Sequence, residues 1–296
     1  MFNSSINSTI ERIVLGTAQF GMNYGVANKR GKISEEEVYQ ILNFAYKVGI
    51  KTIDTAVVYG ESERVLGNIG VRNFDIISKI PKYDKRSSND YFSVKKEIVN
   101  SINRLKVDSL HAVLLHDSSD LILDKTLYES LWKIKQDGLI KKIGVSIYHP
   151  FELDDLLDVF DLDIVQSPFN LFDQRIINSK HFEFMIENNI EIHVRSIFLQ
   201  GLLLMDKFSL PEKFKKWESL FSRYYDFLER TKFDPLSLNL SFPLSFKNID
   251  KFIIGVDSLQ HLEQIVSSLS DNRHISSYPE IISNDLDLIN PSNWQL

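Results

Sequence analysis

Four polar side chains stand just past successive strand-like runs. Asp54 and Tyr59 follow residues 49–53, Lys79 follows residues 76–78, and His116 follows residues 112–115. A phenol is a weak acid with a pKa of about 10. A neighbouring ammonium favours the phenolate and lowers that value, and a carboxylate paired to the ammonium holds its charge in place. An imidazole beside the phenol can orient a carbonyl oxygen by hydrogen bonding. Together the four suit protonation of a carbonyl oxygen while its carbon accepts a hydride. Taken singly, Asp54 also reads as a turn cap and Tyr59 as a packing residue. Four such residues on successive strands favour the chemical reading.

The elements that must position them alternate along the chain. Residues 1–11 are polar and read as poorly ordered, and residues 12–16 as a buried strand. A loop over 17–32, punctuated by Gly21, Gly25 and Gly31, leads to a helix ending near residue 48. Ser34 and Glu37 have capping-box spacing there, and Ile33 and Val38 that of a hydrophobic staple. Strand 51–53 is followed by helix 61–70, strand 75–78 by helix 90–105, and strand 112–115 by helix 125–136, closed by Asp137-Gly138. Strand 140–145 leads to Pro150, at the first position of helix 151–159. Strand 164–166 leads to helix 177–187, and strand 190–194 to an apolar loop, 197–205. Helical stretches follow at 211–230 and 235–245, with Pro243 ending the second early. Strand 252–254 and helix 258–269 complete the alternation. Eight units of short, continuously apolar strands and amphipathic helices predict a (β/α)8 TIM barrel in the α/β class. The chain reads as one domain, 1–296, with a core of about 12–269. The tail 270–296, with Tyr278 and Trp294, is expected to pack across the barrel surface, near its mouth. Active residues of such barrels lie at the C-terminal ends of strands, where the four polar side chains fall.

The totals narrow the partners. The chain has 296 residues, 43% hydrophobic and 25% charged, with a net charge of -6 and no cysteine. Disulfides, thiol nucleophiles and cysteine-based metal sites are excluded. The acidic balance gives no reason to expect nucleic acid, and no apolar run has the length of a membrane span. The N-terminal residues have no signal-peptide pattern. These features predict a soluble, cytoplasmic protein and leave its oligomeric state open. Seven histidines show no metal-binding pair spacing, so no metal site is expected.

The pattern Asp54-Thr55-Ala56 … Tyr59-Gly60-Glu61-Ser62-Glu63, then Lys79, then Leu114-Leu115-His116, resembles the aldo-keto reductase superfamily. Further motifs carry the resemblance from about Val14 to Leu269: Gly16-Thr17-Ala18-Gln19-Phe20-Gly21, Gly144-Val145-Ser146, Gln166-Ser167-Pro168-Phe169-Asn170 and Ser196-Ile197-Phe198-Leu199-Gln200-Gly201. The resemblance implies an NADPH-dependent reductase of aldehydes or ketones, with NADH as the alternative cofactor. It implies Tyr59 as general acid, tuned by Lys79 and Asp54, with His116 orienting the substrate. Ser146 and Gln166 would hold the nicotinamide carboxamide, and Ser196 and Gly201 would lie by the pyrophosphate. Gly16, Thr17, Asp54, Arg195, Phe198, Gly255, Ser258, His261 and Gln264 complete the implied cofactor set. The cofactor is not read from a dinucleotide fingerprint, since no Gly-x-Gly-x-x-Gly follows a strand.

Several positions depart from the family pattern. Ile147 stands where the family has Asn. Arg195 stands where many members carry an aromatic that stacks on the nicotinamide; a guanidinium can stack too, or can pair with an anionic group. After the last strand, Asp257, His261, Gln264 and Ile265 replace residues that members specific for NADPH use on the 2′-phosphate and adenine. The start of the helix at Ser258 offers a place for phosphate, but Asp257 beside it would repel one. The sequence around Gly255-Val256-Asp257-Ser258 resembles bacterial members associated with sugar and surface-polysaccharide pathways, which leans towards a sugar-like carbonyl. Two other readings remain open: a cofactor-binding regulatory or scaffold barrel with little turnover, and an aldolase or isomerase using Lys79 as a Schiff base.

Overall fold

In the computed structural model, which describes residues 4–82, 91–269, 275 and 277–294, eight short strands close into a barrel. They are β1 (Ile13–Gly16), β2 (Thr52–Asp54), β3 (Asp75–Ile80), β4 (Leu110–Leu115), β5 (Ile140–Ser146), β6 (Ile164–Pro168), β7 (Glu191–Arg195) and β8 (Lys251–Gly255). Each pairs in parallel with its sequence neighbour, and β8 returns to β1 through Val14 opposite Ile253 and Gly16 opposite Gly255. This is the (β/α)8 TIM barrel that the alternation predicts.

Side chains on a strand alternate between faces, and here the alternation sorts core from site. Leu15, Ile53, Ile76, Val113, Leu115, Ile143, Val145, Val165, Val194 and Ile254 point outward into the large core shared with the helices. The residues between them point into the barrel. Ile77, Ala112, Leu114 and Ile164 form a separate apolar cluster that fills its middle. One step along each strand, the inward positions become Gly16, Asp54, Lys79, His116, Ser146, Gln166, Arg195 and Gly255. At the opposite end the inward positions are polar as well: Glu191 pairs with Lys142 and bonds His193 at 3.1 Å, closing the barrel floor.

The helices follow their capping signals. Ser34 accepts the Glu37 N–H at the start of the helix Glu35–Val48, and Gly49 ends that helix at φ 100°. The reciprocal half of the capping box is absent, because the Glu37 carboxylate binds Arg30 and the Leu259 N–H instead. Asp124 caps the helix Lys125–Gln136. The expected helix start at residue 90 lies outside the described residues, and the helix there is Tyr91–Leu105.

Several expectations need correction. The N-terminal residues, expected to be poorly ordered, include a helix, Ser4–Arg12. Ile10 is buried, and the Arg12 guanidinium donates to Phe246 O and Ile249 O, both at 2.7 Å, so Arg12 ends the helix rather than starting β1. The helix expected over 151–159 is a 3-10 turn, Pro150–Leu153, followed by irregular turns. Glu152, Asp154, Asp155 and Asp158 crowd like charges at helical spacing there. The helix expected from residue 177 begins at Lys180. The stretch 211–230 divides into a 3-10 segment, Glu212–Trp217, and a helix, Glu218–Thr231. The next helix, Pro235–Leu244, takes Pro243 into its last turn rather than stopping before it.

The described part of the tail packs on the mouth side. The Ser283 N–H donates to Phe172 O at 2.8 Å in the loop after β6. Tyr278 meets Phe242, and Trp294 meets Phe214 edge-on at 4.9 Å. Residues 270–274, 276 and 295–296 of the tail lie outside the described residues. Among the described residues no helix is long and apolar enough to cross a membrane.

Candidate active site

The inward positions at the C-terminal ends of the strands line a cavity of about 650 Å³. Asp54 on β2 and Lys79 on β3 lie almost fully buried at its floor, with the Lys79 ammonium bonded to an Asp54 carboxylate oxygen and to Thr55 O at 3.2 Å. Burial pulls the Lys79 ammonium below the usual lysine range, and the Asp54 carboxylate opposes that pull.

Tyr59 reaches the same floor from the loop after β2. The Gly21 backbone lies directly beneath that loop: a Cβ on Gly21 would stand 1.8 Å from Tyr59 O, so only glycine allows the approach. Ser62 Oγ donates to Thr17 and ties the two loops together. The Lys79 Nζ sits 5.2 Å from the Tyr59 ring centroid. His116 meets Tyr59 edge-on, with centroids 6.0 Å apart. The four residues therefore converge as the sequence predicts.

Their electrostatics differ from expectation in one respect. The sequence places Lys79 as the group that lowers the Tyr59 pKa. Burial and the Asp54 carboxylate raise it instead, and Arg195 is the cation that opposes them. Lys79 is bonded to Asp54, with its ammonium still facing the Tyr59 ring. His116 is pushed down to about 4 by burial and by the Lys79 and Arg195 charges. It is therefore neutral at pH 7, with one ring N–H to donate.

Gln166 on β6 donates through Nε2 to the second Asp54 oxygen at 2.8 Å. A carboxylate only accepts, so this bond fixes the amide with Oε1 turned away. That oxygen is buried without a partner, and the residue lines the cavity beside Ser146. An orphaned buried acceptor costs about 1–3 kcal/mol and fits the N–H of a ligand carboxamide. Gly16 and Gly255 leave the wall between β1 and β8 open; a Cβ on Gly255 would strike the Gln19 side chain at 2.9 Å. On these grounds the cavity fits a nicotinamide dinucleotide.

The two departures at the mouth are coupled. Ile147 is fully buried in the wall, and its carbonyl accepts from Arg195 Nη2 at 3.1 Å. The guanidinium packs over the Tyr148 ring at 4.7 Å. Arg195 has no carboxylate within ion-pair distance among the described residues. Beyond it the chain turns sharply, with Ser196, Leu199 and Gln200 all at positive φ. Buried Asn170 holds this turn by donating to Ser196 O at 3.0 Å. Gly201, at φ 86°, lies against Ala27 of the loop after β1, where a Cβ would approach within 2.6 Å. The loops after β1 and β7 thus meet over the cavity rim.

Of the residues singled out from sequence, Gly16, Thr17, Asp54, Tyr59, Lys79, His116, Ser146, Gln166, Arg195, Ser196, Phe198, Gly201, Gly255, His261 and Gln264 all line the cavity. Ser258 does not; it is buried, and its Oγ accepts the His261 N–H at 3.2 Å. Among aromatic side chains in the loops that follow the strands, Tyr24 and Tyr148 line the cavity, whereas Phe20, Phe169 and Phe172 are core. Sequence reasoning missed Met22, Ala27, Asn28, Gln200, Pro235 and Leu236, which also line it. The glycines spaced through residues 16–31 were the one signal that this loop serves a site.

A closed parallel barrel with its polar inner rung at the C-terminal ends of the strands, and a deep cavity above that rung, defines the class: a TIM barrel with a mouth site. The aldo/keto reductase family model matches residues 12–282, and the chain belongs to that family. It is 27% identical over 204 residues to the aldo-keto reductase YhdN of Bacillus subtilis, covering 65% of this chain and 60% of that protein. It is also 27% identical over 128 residues to the L-galactose dehydrogenase of Arabidopsis thaliana, covering 39% of this chain and 40% of that protein. The chain thus spans about half the length of the curated relatives it matches. The fold matches that of the aldo-keto reductase AKR11C1 of Bacillus halodurans in its holo form, with a TM-score of 0.71, 18% identity and coverage of 89% of this chain and 88% of that one.

Proposed function

We propose that this protein, as a single barrel domain, reduces an aldehyde or ketone with NADH or NADPH, by hydride transfer to the carbonyl carbon and proton transfer from Tyr59 to its oxygen. The observation that carries the reading is the convergence of Tyr59, His116 and the buried Lys79–Asp54 pair beside the unpartnered Gln166 oxygen. NADPH, the cofactor that the family resemblance implies, and NADH present the same nicotinamide, ribose and pyrophosphate to this end of the cavity. When bound, the reduced nicotinamide supplies the hydride.

The protein's own residues do the rest. Tyr59 keeps its proton throughout the neutral range and donates it at the carbonyl oxygen. The Lys79 ammonium, 5.2 Å from the ring, and the Arg195 guanidinium stabilise the phenolate left behind. Neutral His116 donates a ring N–H to the same oxygen and fixes its direction. Asp54 keeps Lys79 charged and holds Gln166, whose Oε1, with Ser146, receives the carboxamide. The same groups serve the reverse oxidation.

The substrate reading is a sugar-like carbonyl. The L-galactose dehydrogenase among the relatives supports it, and Arg195, which has no carboxylate partner among the described residues, provides for an anionic group on the substrate.

The test is oxidation of NADH and of NADPH, followed by absorbance, against methylglyoxal, glyceraldehyde, glyoxylate and sugar aldehydes. Carbonyl-dependent turnover with at least one of them is expected. Absence of turnover with every compound and both cofactors would remove the reductase reading.

The His116 shift gives a pH signature. Its pKa of about 4 lies below the ordinary histidine value, so the ring is neutral at every pH above that value. The kcat/KM profile for reduction should run flat through the ordinary histidine range and fall only as pH drops towards about 4. An inflection near the ordinary histidine pKa of about 6.5 that is lost in His116→Gln would contradict the neutral assignment.

A further inference from the structure

The cavity runs from the Tyr59 cluster to a far end lined by Asp234, Pro235, Leu236, Asp257, His261 and Gln264. If the nicotinamide occupies the Tyr59 end, the adenosine half has only this end to occupy. The charges there are acidic. The Asp257 carboxylate is largely shielded from solvent and lies beside His261, at 3.9 Å. The Arg30 guanidinium lies close by but is committed: it donates to both Glu37 oxygens, at 3.2 and 2.9 Å, and to the Asp257 backbone O at 3.3 Å.

The helix Leu259–Leu269 begins at this end, where free N–H groups would ordinarily attract a phosphate. Here the Leu259 N–H donates to Glu37 Oε1 at 3.3 Å, and the His261 N–H to Ser258 Oγ at 3.2 Å. The protein thus places its own carboxylate on the first amide of the helix and a second carboxylate, Asp257, beside it.

We propose that this far end selects NADH over NADPH, with Asp257 as the discriminating residue and Glu37 holding Arg30 away from a phosphate. The proposal rests on the reading of the cavity as a nicotinamide site. A 2′-phosphate carries a charge between about -1.5 and -2 at pH 7, and it would meet the Asp257 carboxylate, while the nearby Arg30 guanidinium is already paired with Glu37. A ribose 2′-hydroxyl meets the Asp257 carboxylate as a hydrogen-bond acceptor, which is how an acidic residue marks NAD sites in other dinucleotide folds. Discrimination by like charge acts against the wrong ligand rather than for the right one.

Calorimetric titration of the full chain with NADH and with NADPH tests it. At low salt NADPH is expected to bind at least about tenfold more weakly, and the ratio of the two Kd values should shrink as salt is raised. On the unmodified protein, 5′-AMP should displace bound NADH better than adenosine 2′,5′-bisphosphate does. The double variant Glu37→Gln, Asp257→Asn, which frees Arg30 and keeps both side-chain shapes, should bring the Kd ratio towards one. NADPH binding as tightly as NADH, or more tightly, overturns the proposal and leaves the reductase reading intact. Binding of neither dinucleotide to folded protein, with fold checked by circular dichroism, overturns both.

Discussion

Tyr59→Phe should lower kcat for carbonyl reduction by roughly 10³-fold while leaving the Kd for the reduced cofactor within about twofold, since a positioned general acid contributes about 10²–10⁴. The substitution removes one oxygen and keeps the ring. The edge-on packing against His116 and the approach of Lys79 both involve that ring, so the cavity keeps its shape. The hydroxyl makes no hydrogen bond to the described residues, so its loss leaves no buried group unpartnered and stability should hardly change. The residual rate would come from orientation by His116 and the Lys79 charge. The measurement is kcat and KM with one aldehyde, alongside cofactor titration of the same preparation. A variant turning over at the parental rate would move the proton donor to another group. A variant that loses the cofactor as well would show that the hydroxyl serves cofactor binding rather than proton transfer alone.

Much of this site follows from strand periodicity. Asp54, Lys79, His116, Ser146, Gln166 and Arg195 fall at alternate positions with the apolar residues between them, so a parallel sheet closed into a barrel turns all six inward at one end. That is local information, and the motifs that mark it survive in the sequence. What was not legible is non-local. Glu37, read as half of a capping box, instead holds Arg30 and an amide 222 residues away. Ile147 and Arg195 look like two separate departures from the family pattern until the bond between them joins the ends of strands β5 and β7. The raised pKa of Tyr59 comes from its burial and from the Asp54 carboxylate, which no spacing rule states. The N-terminal helix was missed because its sequence is polar. Its anchor is Arg12, bonded to the carbonyls of Phe246 and Ile249 at the far end of the chain.

Lys79→Met should cost about 3–5 kcal/mol of folding stability, as removal of one partner of a buried ion pair does, and should abolish turnover. Lys79 and Asp54 are almost fully inaccessible to solvent. Methionine fills most of the lysine volume, so the expected loss comes from charge rather than from packing. It leaves the Asp54 carboxylate with the Gln166 amide at 2.8 Å as its one remaining side-chain donor among the described residues, too little to stabilise a charge in that environment. The double variant Lys79→Met, Asp54→Asn separates the two effects. The amide introduced by Asp54→Asn can still accept from Gln166 and carries no charge, so the double variant should recover a large part of the lost stability in urea unfolding while staying inactive. The coupling energy between the two positions then measures the pair itself. If Lys79→Met costs less than about 1 kcal/mol, well under the cost of an uncompensated buried charge, Asp54 takes up a proton when its partner leaves, and the pair does not hold a fixed charge beneath Tyr59. If the double variant is as unstable as the single one, the methionine fits poorly and the argument from charge fails. Recovery of stability without recovery of activity is the outcome that places the buried pair in the reaction rather than only in the fold.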